Sequence, residues 1–291
     1  MIKQINCNKK NYLDNLTKFL DVRRSSKKPE NKIISKILSD IKKNKNKALI
    51  KYEKKFSKNS QIKPSIKEIN NAIKFLDPKI KKAIDFALKR IFNFHIKQKN
   101  KNILYKDSLN NKIEYKYVPI QSVGIYVPAN LPSTLLMNAI PAKVAGVKKI
   151  ILASPRYNNK LNPAVMYAAR KLGIKEILSI GGAQAIGSLT YIQKVDKIVG
   201  PGNIYVAKAK KEVFGDVGVE GMVAGPSEIT ILADKKSEIE NVVTSLIGQA
   251  EHDENSQCIL ISKELDVLKK VKKLIKLNLK NLQKKKLQRK V

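Results

Sequence analysis

Two histidines occur in the 291-residue chain, His95 and His252, and only the second stands in a pattern with ligand chemistry. Gln249-Ala250-Glu251-His252 places an amide and an imidazole three residues apart, on one face of a helix. Neutral imidazole is a common zinc ligand and an amide oxygen an unusual one, and two histidines cannot build a three-histidine site within one subunit. A solvated helix end is the plainer reading, with Glu251, Asp253 and Glu254 keeping a metal reading open. His95 follows Ile91 by four residues on an apolar helix face and reads as a packed or capping histidine.

Two glycine turns offer a different chemistry. Gly181-Gly182-Ala183-Gln184 and Gly200-Pro201-Gly202-Asn203 each stand between a strand-like segment and a helix-like one. Such turns expose backbone N–H groups to an anionic ligand, or serve only as tight strand-to-helix connections. The amide that follows each turn, Gln184 and Asn203, suits hydrogen bonding to ribose or nicotinamide if both project into one crevice. No G-x-G-x-x-G fingerprint follows any strand, so pattern alone does not establish a dinucleotide site. Gly225-Pro226-Ser227-Glu228 brings a hydroxyl to a crossover between two stretches, and is equally a turn with Pro second.

The elements that must position these residues alternate in the middle of the chain. Strands are expected at Ser122–Val127, Lys149–Ala153, Glu176–Ile180 and Lys197–Val199. Helices are expected between them at 133–147, 162–172, 184–191 and 204–214. This rhythm implies a parallel sheet with helices on its faces, and ligands bind beyond the carboxyl ends of such strands. Before it, from Met1 to about Tyr117, the pattern is helical and basic, with a helix opened by Asp77-Pro78. After it, strands at Glu228–Ala233 and Cys258–Ser262 flank a helix at Ile239–His252, and residues 263–291 form a basic amphipathic helix. That helix carries Leu268, Val271, Leu274, Ile275 and Leu282 as its apolar set. Its twelve Lys and Arg suit an anionic membrane, but the apolar stripe reads better as a protein-packing face.

Composition narrows the class. Hydrophobic residues make up 43% and charged residues 29%, which excludes collagenous, disulfide-scaffold and wholly disordered chains. No run approaches the roughly 18 apolar residues of a membrane span, and the first ten residues lack a secretory signal. Cys7 and Cys258 have neither metal nor redox spacing. A soluble cytoplasmic protein is therefore expected. The net charge of +35 suggests nucleic acid, but only six of the 59 Lys and Arg residues are Arg, and Lys recurs beside Asn and Ile everywhere. Specific readers lean on Arg, and those three residues share A/T-rich codons, so specific nucleic-acid binding is not expected.

Taken together these motifs resemble the histidinol dehydrogenase family. The resemblance runs through Lys47–Tyr52, Phe94-His95-Ile96-Lys97-Gln98, Val123–Pro128, Pro132–Lys143 and Gly181–Ile186. It continues through Val195–Asn203, Ala224–Glu228 and Gln249–Asn255. It implies an α/β protein of two Rossmann-like parallel-sheet domains with a helical N-terminal region. The expected divisions are residues 1–120 (helical region and first part of an outer domain), 121–225 (central domain) and 226–291 (return to the outer domain, incomplete). It implies two NAD-dependent oxidations of histidinol to histidine through the aldehyde, on a zinc-bearing homodimer. Carried over residue by residue, Tyr126, Gln184 and Asn203 contact NAD, Ser227 contacts substrate, and Gln249 and His252 bind both zinc and substrate.

The chain departs from the family at Ala129-Asn130-Leu131, where relatives have a glycine pair and a longer loop. The family's Glu-His base, an Asp zinc ligand and a late Glu and His lie beyond the equivalent of Val291, so no catalytic base is assigned here. The chain is thus expected to be a shortened copy whose outer domain is incomplete. A dehydrogenase of another small alcohol, a non-catalytic remnant and a basic nucleic-acid binder are the alternatives.

Overall fold

In the computed structural model, residues 2–24, 31–220, 228–252 and 256–281 are described. They form two compact units, one of Pro29–Val223 and one of Met1–Lys28 with Ala224–Val291.

Helix α1 (Tyr12–Arg24) belongs to the smaller unit. The larger begins with α2 (Asn31–Ser57), which breaks at Lys45, where φ is 48° and ψ −128°. Helix α3 (Ile66–Lys74) starts at Ser65, whose hydroxyl accepts from the Glu68 N–H. Helix α4 (Pro78–His95) starts as its sequence implies, with the Asp77 carboxylate accepting from the Lys79 N–H and Pro78 in the first turn.

The helical expectation up to Tyr117 fails at one place. Strands β1 (Ile103–Lys106) and β2 (Lys112–Tyr115) form an antiparallel hairpin. Its turn is closed by Asp107, whose carboxylate accepts from the Leu109 and Asn111 N–H groups, with Asn110 at φ 67°. Both faces of the hairpin are exposed, so no buried face imposes a period-2 alternation on its sequence.

The central sheet follows the expected alternation: the strands at Lys149–Ala153 and Lys197–Val199 stand as expected, the helix ending at Tyr191 starts two residues earlier, and no other boundary shifts by more than two residues. The elements are β3 (Ser122–Tyr126), α5 (Pro132–Ala145), β4 (Lys149–Ala153), α6 (Pro163–Lys171), β5 (Glu176–Leu178) and α7 (Gly182–Tyr191). They continue with β6 (Lys197–Val199), α8 (Ile204–Glu212) and the two-residue β7 (Gly218–Val219). The strands are all parallel, in the order β5-β4-β3-β6-β7. Beyond the β5 edge, the Ser179 N–H donates to the Ile62 carbonyl and the Asn59 amide donates to the Ser179 carbonyl, so residues 59–62 extend beside the sheet.

Helices cover both faces. Alternate residues of β3 divide between them: Val123 and Ile125 join Leu135, Ile140, Val165 and Met166 of α5 and α6, with Ile73 and Ile84 of α3 and α4. On the other face, Ile34, Leu38, Ile41 and Leu49 of α2 pack with Ile186 and Leu189 of α7 and Val206 of α8. Two glycines allow close approach there. A Cβ at Gly124 would stand 2.9 Å from Leu189, and one at Gly187 would stand 3.1 Å from both Leu38 and Ile41.

In the smaller unit β8 (Glu228–Leu232) and β9 (Gln257–Ile261) pair in parallel across α9 (Ile239–His252), followed by α10 (Leu265–Asn281). Its core holds Val242, Val243 and Leu246 of α9 against Val267, Val271 and Ile275 of α10. The basic helix therefore packs its apolar stripe on its own chain; Leu282 lies outside the described residues. The architecture is α/β, as expected. Among the described residues no helix is long and apolar enough to cross a membrane.

Candidate functional site

The order β5-β4-β3-β6-β7 makes the connections leave β3 toward one edge and β6 toward the other. Neighbouring loops separate at such a switch point and leave a crevice at the carboxyl ends of the two strands. Tyr126 ends β3 and Gly200 follows β6. Gly200 has φ +107°, and a Cβ on it would stand 2.1 Å from the Tyr126 carbonyl oxygen, so only glycine fits. Its own carbonyl accepts from Nζ of buried Lys210, which also pairs with the Glu220 carboxylate. Burial pulls the Lys210 ammonium below its ordinary pKa, and Glu220 opposes that shift.

The turn between β5 and α7 is tied together by a residue the sequence reading passed over. Glu53 of α2 is 0% exposed, and its Oε1 accepts from the Gly181 N–H and from Nε2 of Gln184, both at 2.9 Å. The Gly182 N–H donates to the Tyr126 hydroxyl at 3.4 Å. Burial pushes the Glu53 carboxyl above its ordinary pKa, and the Gly181 and Gln184 hydrogen bonds oppose it. Burial likewise raises the Tyr126 phenol. The signal for Glu53 was in the sequence: it lies four residues after Leu49 and beside Tyr52 on the buried side of a lysine-rich helix.

The side chains differ from the expected picture of open N–H groups and two amides in one crevice. Gly181 and Gly182 give their N–H groups to Glu53 and Tyr126. Gln184 is 3% exposed and turned toward Glu53. Asn203 is exposed and caps α8, its Oδ1 accepting from Tyr205 and Val206 N–H groups at 3.1 Å each. Tyr126, Gly182, Gln184 and Glu53 form one connected group; Asn203 stands apart from that group, on the turn after β6. A hydroxyl and an amide at the switch point are the kinds of group that hydrogen-bond ribose and carboxamide, here in residues 5% (Tyr126) and 3% (Gln184) exposed, and the tight Gly200–Tyr126 contact leaves no room for a side chain at 200.

The α9 residues belong to the other unit. Gln249 and His252 fall in the last turn of α9, three residues apart. Gln249 is half-buried and its Nε2 donates to the Ser256 hydroxyl at 3.5 Å, which leaves Oε1 as the half of the amide able to ligate. Zinc takes four donors, of which one amide oxygen and one imidazole are at most two. Among the described residues no cluster of three or more His, Cys, Asp or Glu is found. Ser227 lies outside the described residues.

His95 has no part in this constellation. It ends α4 with Nδ1 2.6 Å from Oε1 of Gln98 and its ring edge-on to Phe94. It lines a groove of about 930 Å³, with Met137 and Pro141 of α5 and Val123 and Lys197 of the sheet.

A family model described as histidinol dehydrogenase matches residues 21–291. Among curated relatives, the histidinol dehydrogenase of Pelagibacter ubique (strain HTCC1062) is 57% identical over 278 residues, covering 93% of this chain and 65% of that protein. The Agrobacterium fabrum (strain C58 / ATCC 33970) histidinol dehydrogenase is 40% identical over 275 residues, covering 91% of this chain and 63% of that protein. The crystal structure of histidinol dehydrogenase from Elizabethkingia anophelis superposes with a TM-score of 0.83 at 37% identity, covering 91% and 63%. A succinate-semialdehyde dehydrogenase from Burkholderia pseudomallei shares the fold alone, with a TM-score of 0.51 at 14% identity over 90% of this chain and 53% of that one. The chain spans just under two thirds of the length of the histidinol dehydrogenases it matches. With ordered motifs, topology and a family model over nearly its whole length in agreement, the chain belongs to the histidinol dehydrogenase family.

Proposed function

We propose that this chain carries the cofactor-binding and part of the substrate-binding apparatus of an enzyme that oxidises L-histidinol to L-histidine through the aldehyde. The observation that carries the reading is the grouping of Tyr126, Gly182, Gln184 and Gly200 at the carboxyl ends of β3, β5 and β6, in a chain of this family. NAD, when bound, would supply the hydride acceptor that both oxidations require. Tyr126 and Gln184 orient its hydroxyl and amide groups, and Asn203 holds the start of α8 beside it. Gly200 lets the cofactor approach the sheet end without a side chain between.

Gln249 and His252 would hold zinc and meet the substrate imidazole and amine, with Ser227 a further substrate contact. Zinc there supplies a template that orients the substrate. No residue of this chain is assigned the proton-accepting role. The same reading makes the protein a cytoplasmic biosynthetic enzyme that works as a homodimer.

The test is calorimetric titration of the purified chain with NAD+, together with metal analysis and NADH formation from L-histidinol. Saturable NAD+ binding with zinc retained in a manner dependent on Gln249 and His252 is expected. A folded chain that binds neither would sink the reading.

A further inference from the structure

Glu53 decides which half of the Gln184 amide a ligand meets. Glu53 Oε1 already accepts the Gly181 N–H, so any proton on the carboxyl sits on Oε2, and the half of Gln184 that faces Oε1 is its NH2. This fixes an orientation that the near-symmetric shape of an amide leaves open. The other half, Oε1, lies beside half-exposed Gly182, where a Cβ would stand 2.9 Å from it. Gln184 is 3% exposed, and glycine at 182, with φ +63°, leaves the space beside that oxygen free of a side chain. The same Glu53 oxygen takes the Gly181 N–H at the start of α7, where the positive end of the helix would otherwise receive an anion. The turn thus offers acceptors and a buried carboxyl group where an anion would need donors.

We infer that Glu53 is a positioning residue that holds Gln184 with its NH2 inward and its oxygen beside Gly182, so that this turn receives a hydrogen-bond donor of the ligand and not a phosphate. The donor is a ribose hydroxyl or a carboxamide NH2, both carried by a nicotinamide nucleotide. The ligand half of this inference rests on the reading that the cofactor binds at these strand ends. The orientation of the amide stands apart from it.

Side-chain amide NMR of the full chain reads the orientation. In the wild type the Gln184 NH2 resonances should be shifted and protected from solvent exchange. Glu53→Leu should abolish that protection, and Glu53→Gln should keep it, because the glutamine oxygen still accepts from both donors. Calorimetry with NAD+ should then show affinity lowered roughly tenfold in Glu53→Leu, the loss that goes with stranded buried donors, and less than about threefold in Glu53→Gln. Inorganic pyrophosphate, as an anion probe, should gain affinity in Glu53→Leu alone. An unprotected Gln184 amide in the wild type, or one indifferent to Glu53→Leu, overturns the inference, as does equal NAD+ affinity in all three proteins. If Glu53→Leu does not fold, wild-type protection and the Glu53→Gln variant decide. A wild type that does not bind NAD+ defeats the cofactor reading, while the amide resonances still judge the orientation.

Discussion

Gly200 lies against the backbone of Tyr126 so closely that a Cβ at 200 would stand 2.1 Å from the Tyr126 carbonyl oxygen. The two residues end neighbouring parallel strands, so this contact sets the floor of the switch-point crevice. Its φ of +107° is a further reason for glycine. Gly200→Ala must both strain φ and push the β6 turn off β3. The two costs together are about 3 kcal/mol or more, and the turn moves with them. A marked fall in the chemical-denaturation midpoint is expected, with NAD+ binding lost in whatever folds. A variant as stable as wild type would show that the turn is not seated on β3.

Two carboxylates of α2 should leave opposite marks on the pH dependence of stability. Asp40 accepts from the Asn44 amide at 2.7 Å and from Lys51 Nζ at 3.1 Å, and these bonds hold it down at about 2. Its contribution is present above the ordinary 3.8 and is lost as pH falls toward about 2. Glu53 is the reverse: burial raises it, so between the ordinary 4.5 and the raised value the native chain keeps a proton that the unfolded chain has released. Its stabilisation is full below the ordinary 4.5 and is lost as pH rises through the raised value. Denaturation midpoints measured from acid to neutral pH should lose the acid slope in Asp40→Asn and the opposite slope in Glu53→Gln. The same slopes in wild type and variants would refute both assignments.

Ser122 and Asp196 join the first residue of β3 to the residue before β6. Asp196 Oδ2 accepts from the Ser122 N–H at 2.7 Å and its hydroxyl at 3.1 Å, and the Asp196 N–H donates to that hydroxyl at 3.0 Å. Asp196→Ala strands the Ser122 N–H in a part-buried place and should cost roughly 1–3 kcal/mol. Ser122→Ala strands the Asp196 N–H. Because each change removes bonds the other also removes, the double variant should lose clearly less than the sum of the single losses, as read in a double-mutant cycle. Strict additivity would mean the reciprocal bonds contribute little.

The parallel sheet was readable because its strands are short apolar runs closed by glycine or proline, and buried strands leave that signature whatever surrounds them. The Asp77-Pro78 start of α4 was readable for the same local reason, since the cap is made by adjacent residues. The β1–β2 hairpin was not, because both its faces are exposed and nothing buried enforces alternation. The break of α2 at Lys45 was not legible either, since lysine is an ordinary helix former. In the site, Tyr126, Gln184 and Gly200 were found from strand ends and turns. Glu53 was missed because its partners are 128 and 131 residues away in sequence, and only the fold brings them together.

Lys210 and Glu220 provide the sharpest separation of stability from site geometry. Lys210 is 2% exposed, and its Nζ serves both the Gly200 carbonyl and the Glu220 carboxylate. Glu220 Oε2 is buried without a hydrogen-bond partner among the described residues. Lys210→Ala would leave Glu220 charged and unpaired, and should cost about 3–5 kcal/mol. Replacing both partners by apolar residues of similar volume, Lys210→Met with Glu220→Leu, removes the stranded charge and should restore most of the lost stability. The Gly200 carbonyl still loses its donor in that double variant, so the β6 turn is no longer held from below. Denaturation should therefore report near-recovery while calorimetry reports weakened NAD+ binding. Recovery of both together would mean that Lys210 serves the stability of the larger unit and has no hold on the turn.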